Sequence, residues 1–352
     1  MSKHACSLLL LVSLVIAATP QAQERRRVEI GGNADAMKDW PKPTVREGLT
    51  PDQIVGAIAD YAQQLVDGDR FSGVVLIAKD GQTKLSRAWG MATATEKNTA
   101  DTKFNIGSIN KAFTQRAIEQ LASAGKLSTS DTIRTHLPDY PSAVADRITI
   151  RQLLDHRSGL GDIFGPKYFD APPSSLRELS DFLALFADAP LQFEPGTAQR
   201  YSNAGYVVLG LIIERVSGQK YRDYVQTHIF DPAGMKDSGF WAVDESVPHR
   251  ATGYTKRGPT GPLETRVPNN QTLPGRPSSA GGAYSTAADL LRFFQWQKAA
   301  GIGVGGGAPG LNASVEIGED GWAVIAMSNY DPPSAEALTR GAMSIIRGRV
   351  EP

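Results

Sequence analysis

Residues 73–89 combine two apolar-rich runs with a short turn and read Gly73-Val-Val-Leu-Ile-Ala-Lys79, Asp80-Gly81 and Gln82-Thr-Lys-Leu-Ser-Arg-Ala-Trp89. A two-residue Asp-Gly connection suits the positive φ angles of a tight turn. The stretch therefore predicts an antiparallel β-hairpin near the start of the folded unit.

A second hairpin is predicted near the other end of the chain. There Ser314-Val-Glu-Ile317 and Trp322-Ala-Val-Ile-Ala-Met-Ser328 flank the turn Gly318-Glu-Asp-Gly321. Helical spacing of apolar residues predicts one helix that starts near Thr50-Pro51 and a closing helix over about 334–347. This order predicts an α+β fold, in which an antiparallel sheet is flanked by N- and C-terminal helices and carries an inserted, mostly helical lobe.

The segment between the two hairpins has helical patterns over 109–123, 175–187, 203–217 and 286–298. We expect one folded domain over 51–349. Its sheet lobe would be formed by 51–104 and 300–349, and its helical lobe by 105–299. A cleft between two such lobes is a common place for a substrate to bind.

The first 22 residues have the shape of a cleavable export signal, since an apolar run from Ala5 to Ala18 is followed by Thr19-Pro-Gln-Ala22. The alternative is a retained membrane anchor, but the run is shorter than the roughly 20 residues that span a bilayer. Residues 23–50 are expected to form an extended lead-in. We therefore expect an exported protein, periplasmic or secreted, with no membrane-spanning segment after cleavage.

Charge and cysteine content argue against several kinds of partner. The chain has 37 Lys and Arg against 37 Asp and Glu, and such a balance argues against binding to nucleic acid or an anionic membrane. The single cysteine, Cys6, lies in the predicted signal. The five histidines form no His-x-x-x-His pair, so we expect no metal and no cofactor. The expected partner is a small-molecule or peptide substrate.

A glycine run at Gly305-Gly306-Gly307 resembles the oxyanion loop of α/β-hydrolase lipases. In that fold the run precedes a Gly-x-Ser-x-Gly elbow. Here the run lies near the C-terminus and the chain contains no such pentapeptide. The order of the motifs therefore excludes the α/β-hydrolase interpretation.

Ser-x-x-Lys spacing places a lysine one helical turn from a serine, where a neutral amine can accept the hydroxyl proton. The chain contains this pattern three times, as Ser108 with Lys111, Ser123 with Lys126, and Ser217 with Lys220. The last two pairs enclose Gly125 and Gly218, which are typical of helix ends. Ser108 instead opens a predicted helix, whose positive end would favour a nucleophile. The alternative is that Ser108 is only an N-cap.

The Ser108 pair also carries a family resemblance. Gly107-Ser108-Ile-Asn-Lys111-Ala-Phe-Thr is similar to the nucleophile motif of serine β-lactamases and D-alanyl-D-alanine peptidases. Tyr201-Ser202-Asn203, the one Tyr-x-Asn in the chain, resembles the second motif of class C β-lactamases, D-aminopeptidases and related esterases.

The resemblance implies that Ser108 is the acyl-accepting nucleophile, that Lys111 and Tyr201 activate it, and that Asn203 contacts substrate. A free tyrosine has a pKa of about 10, so Tyr201 would need a neighbouring cation such as Lys111 to act as a phenolate base. The alternative for Asn203 is a helix cap, because an apolar helix follows it.

Two further stretches, 148–160 and 280–289, resemble landmarks of the same family, so that the similarity extends over roughly residues 50–345. We interpret both as architectural. His156 lies beside a Ser-Gly turn in the first stretch. It is expected to fix this loop by hydrogen bonding rather than to act as a catalytic base.

The third motif departs from the family pattern. The matching place is Val304-Gly-Gly-Gly-Ala-Pro-Gly310, and the resemblance implies that Gly306 and Gly307 line the substrate site, with the Gly307 amide as an oxyanion donor. Val304 stands where the family has Lys or His. The connection before this run is also shorter than in relatives, and a strand and loops on the substrate side are expected to be missing.

Two functions follow from these observations. The first is a serine hydrolase that forms an acyl-enzyme on Ser108 and acts on a small ester, amide, D-amino-acid peptide or β-lactam. The absence of a cation at Val304 favours small esters or amides. The alternative is a catalytically impaired family member that retains the fold as a binding protein, which Val304 and the shortened connection favour.

Overall fold

The computed structural model describes residues 39–170, 172–258 and 261–349. The predicted signal, 1–22, and residues 23–38 of the lead-in lie outside the described residues. Residues 41–46 contain no helix or strand, and the Tyr61 hydroxyl donates to the carbonyl oxygen of Pro41 at 3.0 Å. The end of the lead-in is thereby tied to the first helix.

The described strands are β1 (Gly73–Lys79), β2 (Gln82–Trp89), β3 (Phe104–Asn105), β4 (Tyr254–Gly258), β5 (Gly261–Pro268), β6 (Tyr284–Ser285), β7 (Ile302–Ala308), β8 (Leu311–Ile317) and β9 (Trp322–Ser328). The described helices are α1 (Pro51–Asp67), α2 (Lys111–Ser123), α3 (Ile133–His136), α4 (Ile150–Leu154), α5 (Pro166–Asp170), α6 (Leu179–Leu183), α7 (Asn203–Ser217), α8 (Tyr221–Val225), α9 (Asp231–Ala233), α10 (Ala287–Trp296) and α11 (Ser334–Arg347).

The main sheet is antiparallel throughout, with strand order β2-β1-β9-β8-β7. Both predicted hairpins are confirmed. Asp80 and Gly81 have φ angles of 49° and 80°, as a tight two-residue turn requires. β8 begins at Leu311, three residues before the predicted start. β3 pairs with β6, and β4 with β5, outside this sheet.

The central strands β1 and β9 are buried on both faces of the sheet, whereas the edge strand β2 is mostly exposed. Alternate side chains of β1 point in opposite directions, so that Val75 and Ile77 join the cluster under α1 and α11, while Val74 and Leu76 join the larger core with α2, α7 and α10. The continuous apolar run of β1 follows from this double burial. The expected α+β fold, with flanking terminal helices and an inserted helical region, is confirmed.

The predicted helix over 203–217 is present with the same bounds, and the one over 109–123 is preceded by a 3₁₀ turn, Gly107–Asn110. The prediction over 175–187 is wrong at both ends. Leu176 is extended, which prevents an earlier start. After Leu183 the backbone bonds mix three-residue spacing, as from Leu185 N–H to Phe182, with four-residue spacing, as from Ala187 N–H to Leu183. Within this range only α6 is therefore a regular α-helix.

Candidate active site

Ser108 lies where the chain passes from β3 into α2. Gly107 has a φ of +52°, and its N–H donates to Asn105 Oδ1 at 3.0 Å. Ser108 makes no side-chain cap for the 3₁₀ turn or for α2. Its Oγ lies instead 2.5 Å from Tyr201 Oη and 3.2 Å from Lys111 Nζ. The N-cap interpretation of Ser108 is therefore wrong.

Lys111 is buried in the first turn of α2. Besides Ser108, its Nζ contacts Asn203 Oδ1 at 2.7 Å and the carbonyl oxygen of Ala280. Burial lowers the pKa of Lys111 to about 7, although the negative charge of Asp162 acts in the opposite direction. A large fraction of this side chain is therefore a neutral amine at neutral pH.

The Tyr201-Ser202-Asn203 segment starts α7, and its three side chains have different roles. Ser202 is the N-cap, since its Oγ accepts from Gly205 N–H at 3.0 Å. Asn203 is the first helical residue, and its Nδ2 donates to both Asp162 carboxylate oxygens at 3.0 Å. The cap interpretation of Asn203 is therefore wrong, because Asn203 connects Lys111 to Asp162.

Tyr201 does not have the environment of a phenolate. Burial raises its pKa above the ordinary value, and the hydrogen bond between Tyr201 and Ser108 only partly opposes this. Lys111 Nζ lies 4.7 Å from the centre of the Tyr201 ring. The expectation of a phenolate base is thus not supported, and a protonated Tyr201 is available as a hydrogen-bond donor.

His156 fixes the loop beside this segment. Its Nδ1 accepts from Ser202 N–H at 3.2 Å, and its ring lies against those of Tyr201 and Tyr206 at 4.7 and 5.1 Å. Burial, with the nearby Lys111, lowers the pKa of His156 to about 4. It is therefore neutral at neutral pH, and its ring packs against the ring of Tyr201 and helps to position it.

Gly306 and Gly307 lie on β7 directly against the Ser108 turn. A Cβ built on Gly306 would stand 2.6 Å from Ser108 N, and one on Gly107 would stand 2.9 Å from Gly307 N. No side chain fits between the strand and the turn. The backbone amides of Ser108 and Gly307 therefore lie on facing segments in close contact, an arrangement from which two N–H groups can stabilise an oxyanion.

Val304 packs against the large core. It also lines a cavity of about 540 Å³, together with Ser108 and Lys111. It provides no charge there. β7 is an edge strand of the sheet within the described residues, and only five residues separate it from the end of α10. The short connection expected from the sequence is therefore present.

On its other side Ser108 opens into a cavity of about 450 Å³, which we call the apolar pocket. Its lining comes mainly from aromatic and aliphatic side chains, among them Ile163, Phe164, Tyr168, Phe169, Phe182, Trp241, Leu273, Tyr284 and Leu311. Phe164 and Phe169 stand at its rim, 52% and 74% exposed. Of the side chains in the described ranges, no Lys, Arg, His, Asp or Glu lines it.

Sequence reasoning missed two groups that act on Lys111, Asp162 by its charge and Ala280 by direct contact. Asp162 follows the 148–160 landmark by two residues, and Ala280 contributes a backbone carbonyl. Their proximity to the lysine could be found only in three dimensions.

Within the parts of the chain that the structure covers, no group of three or more His, Cys, Asp or Glu side chains could hold a metal ion, and no helix is long and apolar enough to cross a membrane.

Comparison with known proteins gives consistent matches. The family model described as Beta-lactamase matches residues 58–324. The putative penicillin-binding protein PbpX of Bacillus subtilis (strain 168) is 31% identical over 268 residues, which are 75% of this chain and 64% of that protein. The chain thus spans less than two thirds of that relative's length.

Two solved structures show the same fold. A penicillin-binding protein from Bacillus halodurans has a TM-score of 0.70 and 28% identity, with 81% of this chain and 99% of that chain covered. The D-amino acid amidase from Ochrobactrum anthropi SV3 has a TM-score of 0.71, with 83% and 98% covered. At 20% identity, the second likeness shows the fold alone.

Proposed function

This chain belongs to the β-lactamase family, and from that premise we propose that it is a serine hydrolase in which Ser108 carries the acyl group. The observation that carries the proposal is the set of contacts around Lys111. A neutral amine has two N–H groups and one lone pair. The two N–H groups match Asn203 Oδ1 and the Ala280 carbonyl, which leaves the lone pair for the Ser108 hydroxyl at 3.2 Å.

The reaction would begin with attack of Ser108 Oγ on the substrate carbonyl carbon, while Lys111 takes the hydroxyl proton. The resulting oxyanion would face the amides of Ser108 and Gly307. As the bond to the leaving group breaks, that proton would reach the leaving group through the Tyr201 hydroxyl. Water would then attack the acyl-enzyme and give its proton to Lys111, which returns it to Ser108.

The apolar pocket supports a substrate class. An uncharged lining next to the nucleophile favours an apolar or aromatic acyl group, because each buried CH₂ contributes about 0.8 kcal/mol. A carboxylate in the same place would lose water without gaining a cation. We therefore propose small esters or amides with uncharged acyl groups as substrates. We also propose export to the periplasm or the medium, on the basis of residues 1–22.

The alternative is a binding protein that retains the fold without catalysis, and the observation that favours it is the missing cation at Val304. The two proposals differ in one measurement. A hydrolase forms a covalent adduct on Ser108 with a fluorophosphonate or a penicillin, whereas a binding protein does not. Intact mass followed by peptide mapping distinguishes them.

The substrate class is tested with p-nitrophenyl esters of one length that differ in charge, for example the pentanoate and the hemisuccinate. We expect kcat/KM to be at least about tenfold higher for the neutral ester. Phe169→Ala, at the pocket rim, should lower turnover of the neutral ester severalfold. Equal turnover of both esters would contradict the assigned class, and a folded protein without adduct or turnover would contradict the hydrolase.

A further inference from the structure

Asn312 on β8 is fully buried and uses both ends of its side-chain amide. Its Nδ2 donates to the carbonyl oxygen of Gly306 at 3.1 Å. Its Oδ1 accepts from the N–H groups of Ala335 and Glu336 at 2.7 and 3.3 Å. A carbonyl oxygen can only accept and a backbone N–H can only donate, so these partners determine the amide's orientation. Asn312 therefore connects the start of α11 to β7.

The Gly306 carbonyl belongs to the same peptide unit as the Gly307 N–H. A trans peptide is planar, and its C=O and N–H point in opposite directions. Gly307 is paired with Asn312 in the β7–β8 register. Holding the Gly306 oxygen towards β8 therefore turns the Gly307 N–H away from the sheet, towards the Ser108 turn.

Apart from the β7–β8 ladder, in which Gly306 pairs with Ala313, this peptide has little to fix its orientation. Gly305, Gly306 and Gly307 are consecutive and have no side chains to pack, and glycine has more backbone freedom than other residues. β7 is also an edge strand among the described residues. An oxyanion donor must keep its direction to be effective, because misplacement by about 1 Å is costly.

We infer that Asn312 is a positioning residue, which holds the Gly306–Gly307 peptide so that the Gly307 N–H faces the oxyanion formed on attack by Ser108. The inference rests on the proposed function. Asn312 does not contact substrate in this role. It acts through the peptide, with the first turn of α11 as its anchor.

The test is Asn312→Asp with Ser314→Ala as the matched control. The carboxylate keeps an acceptor for the α11 N–H groups but removes the donor to Gly306. Ser314 lies two residues along on β8, and its hydroxyl pairs with Thr339 of α11 at 2.7 Å. Loss of this contact weakens the same junction between strand and helix and leaves the hydrogen bond from Asn312 to Gly306 in place.

We expect Asn312→Asp to lower kcat for a neutral ester about tenfold or more with KM within twofold. Binding of a boronic acid, which forms a tetrahedral adduct with Ser108, should weaken by a similar factor. Ser314→Ala should lower the melting temperature while both quantities stay within twofold of wild type. If Asn312→Asp does not fold, Asn312→Ser is compared with the control in the same way.

A folded Asn312 variant with wild-type kcat and boronate affinity would overturn the inference, and so would an equal loss in Ser314→Ala. Neither result contradicts the proposed hydrolase, because the wild-type protein is active in both cases. A wild-type protein that forms no adduct and turns over no ester overturns the proposed function, and the role of Asn312 with it.

Discussion

The Ser108–Lys111 and Ser217–Lys220 pairs share one sequence pattern and have opposite surroundings. Lys111 is buried, and its pKa is lowered to about 7. Lys220 is half exposed and pairs with Glu178 at 3.0 Å, and the hydrogen bond to this carboxylate raises the pKa of Lys220. One lysine is suited to accept a proton at neutral pH, and the other remains a cation.

The backbone causes much of this difference. Ser108 lies in a 3₁₀ turn that continues into α2, so the lysine three residues later returns to the serine. Ser217 ends α7, and its hydroxyl donates to the Ile213 carbonyl at 2.6 Å. Gly218, with a φ of +72°, turns the chain before Lys220. Four residues of sequence therefore do not define a base unless the helix continues through them.

Substitution of each serine by alanine gives the largest expected difference in labelling and turnover. Ser108→Ala should abolish fluorophosphonate labelling and reduce ester turnover on the order of 10⁴-fold or more, because no other group can carry the acyl chain. Ser217→Ala should leave both unchanged. Peptide mapping of the adduct and initial rates are the measurements. An adduct on Ser217 or Ser123 would contradict the comparison.

Substitution of the two lysines should again affect the Ser108–Lys111 pair and spare the Ser217–Lys220 pair, with a smaller loss of rate. Lys111→Met keeps a long apolar stem in a buried place and removes the amine, so acylation should fall by about 10² to 10⁴ while the protein stays folded. Lys220→Met removes an exposed charge and should leave the rate within twofold. Single-turnover acylation, with circular dichroism as the folding control, checks both variants. A fully active Lys111→Met would show that another group is the base.

Most of the framework was predictable from the sequence because it depends on local patterns. The hairpin at Asp80-Gly81 needs only turn chemistry, and α7 needs only an apolar run between Ser202 and Gly218. Helix 175–187 failed because its apolar spacing continued beyond the point where the backbone tightens. The β4–β5 hairpin was missed, since its strands lack an apolar alternation.

The candidate site was predictable only in part. The motifs brought Ser108, Lys111 and Tyr201 to attention, and the structure brings them together. The state of each group depends on contacts between distant segments. The Ala280 carbonyl contacts Lys111 and the charge of Asp162 acts on it, each from another loop. Burial raises rather than lowers the pKa of Tyr201. A local sequence pattern does not contain these contacts between distant segments.

The pH profile of acylation tests whether Lys111 is neutral when it acts. A base with a pKa of about 7 is protonated below that pH, so the rate should rise about tenfold per unit up to pH 7 and level off above about pH 8. Single-turnover rates with a neutral ester between pH 5 and 9 measure this directly. A midpoint near the ordinary lysine value of about 10, or no rise at all, would contradict the lowered pKa.

The smallest expected effect concerns the carboxylate near each lysine. Asp162 acts on Lys111 by its charge and raises the pKa that burial has lowered. Asp162→Asn removes this charge and leaves an oxygen that can accept from Asn203 Nδ2. The pKa of Lys111 should fall further, so the midpoint of the acylation profile should move to lower pH and the rate at pH 6 should rise a few-fold.

Glu178→Gln is the matched control, because it removes the carboxylate beside Lys220 in an exposed place, where an ion pair contributes about 0 to 1 kcal/mol. It should not move the profile or make Ser217 reactive. A midpoint that moves to higher pH in Asp162→Asn would mean that Asp162 acts on the base mainly by orienting Asn203. An equal shift in both variants would mean that the profile reports the charge of the whole protein, and the comparison between the two pairs would then lose its electrostatic basis.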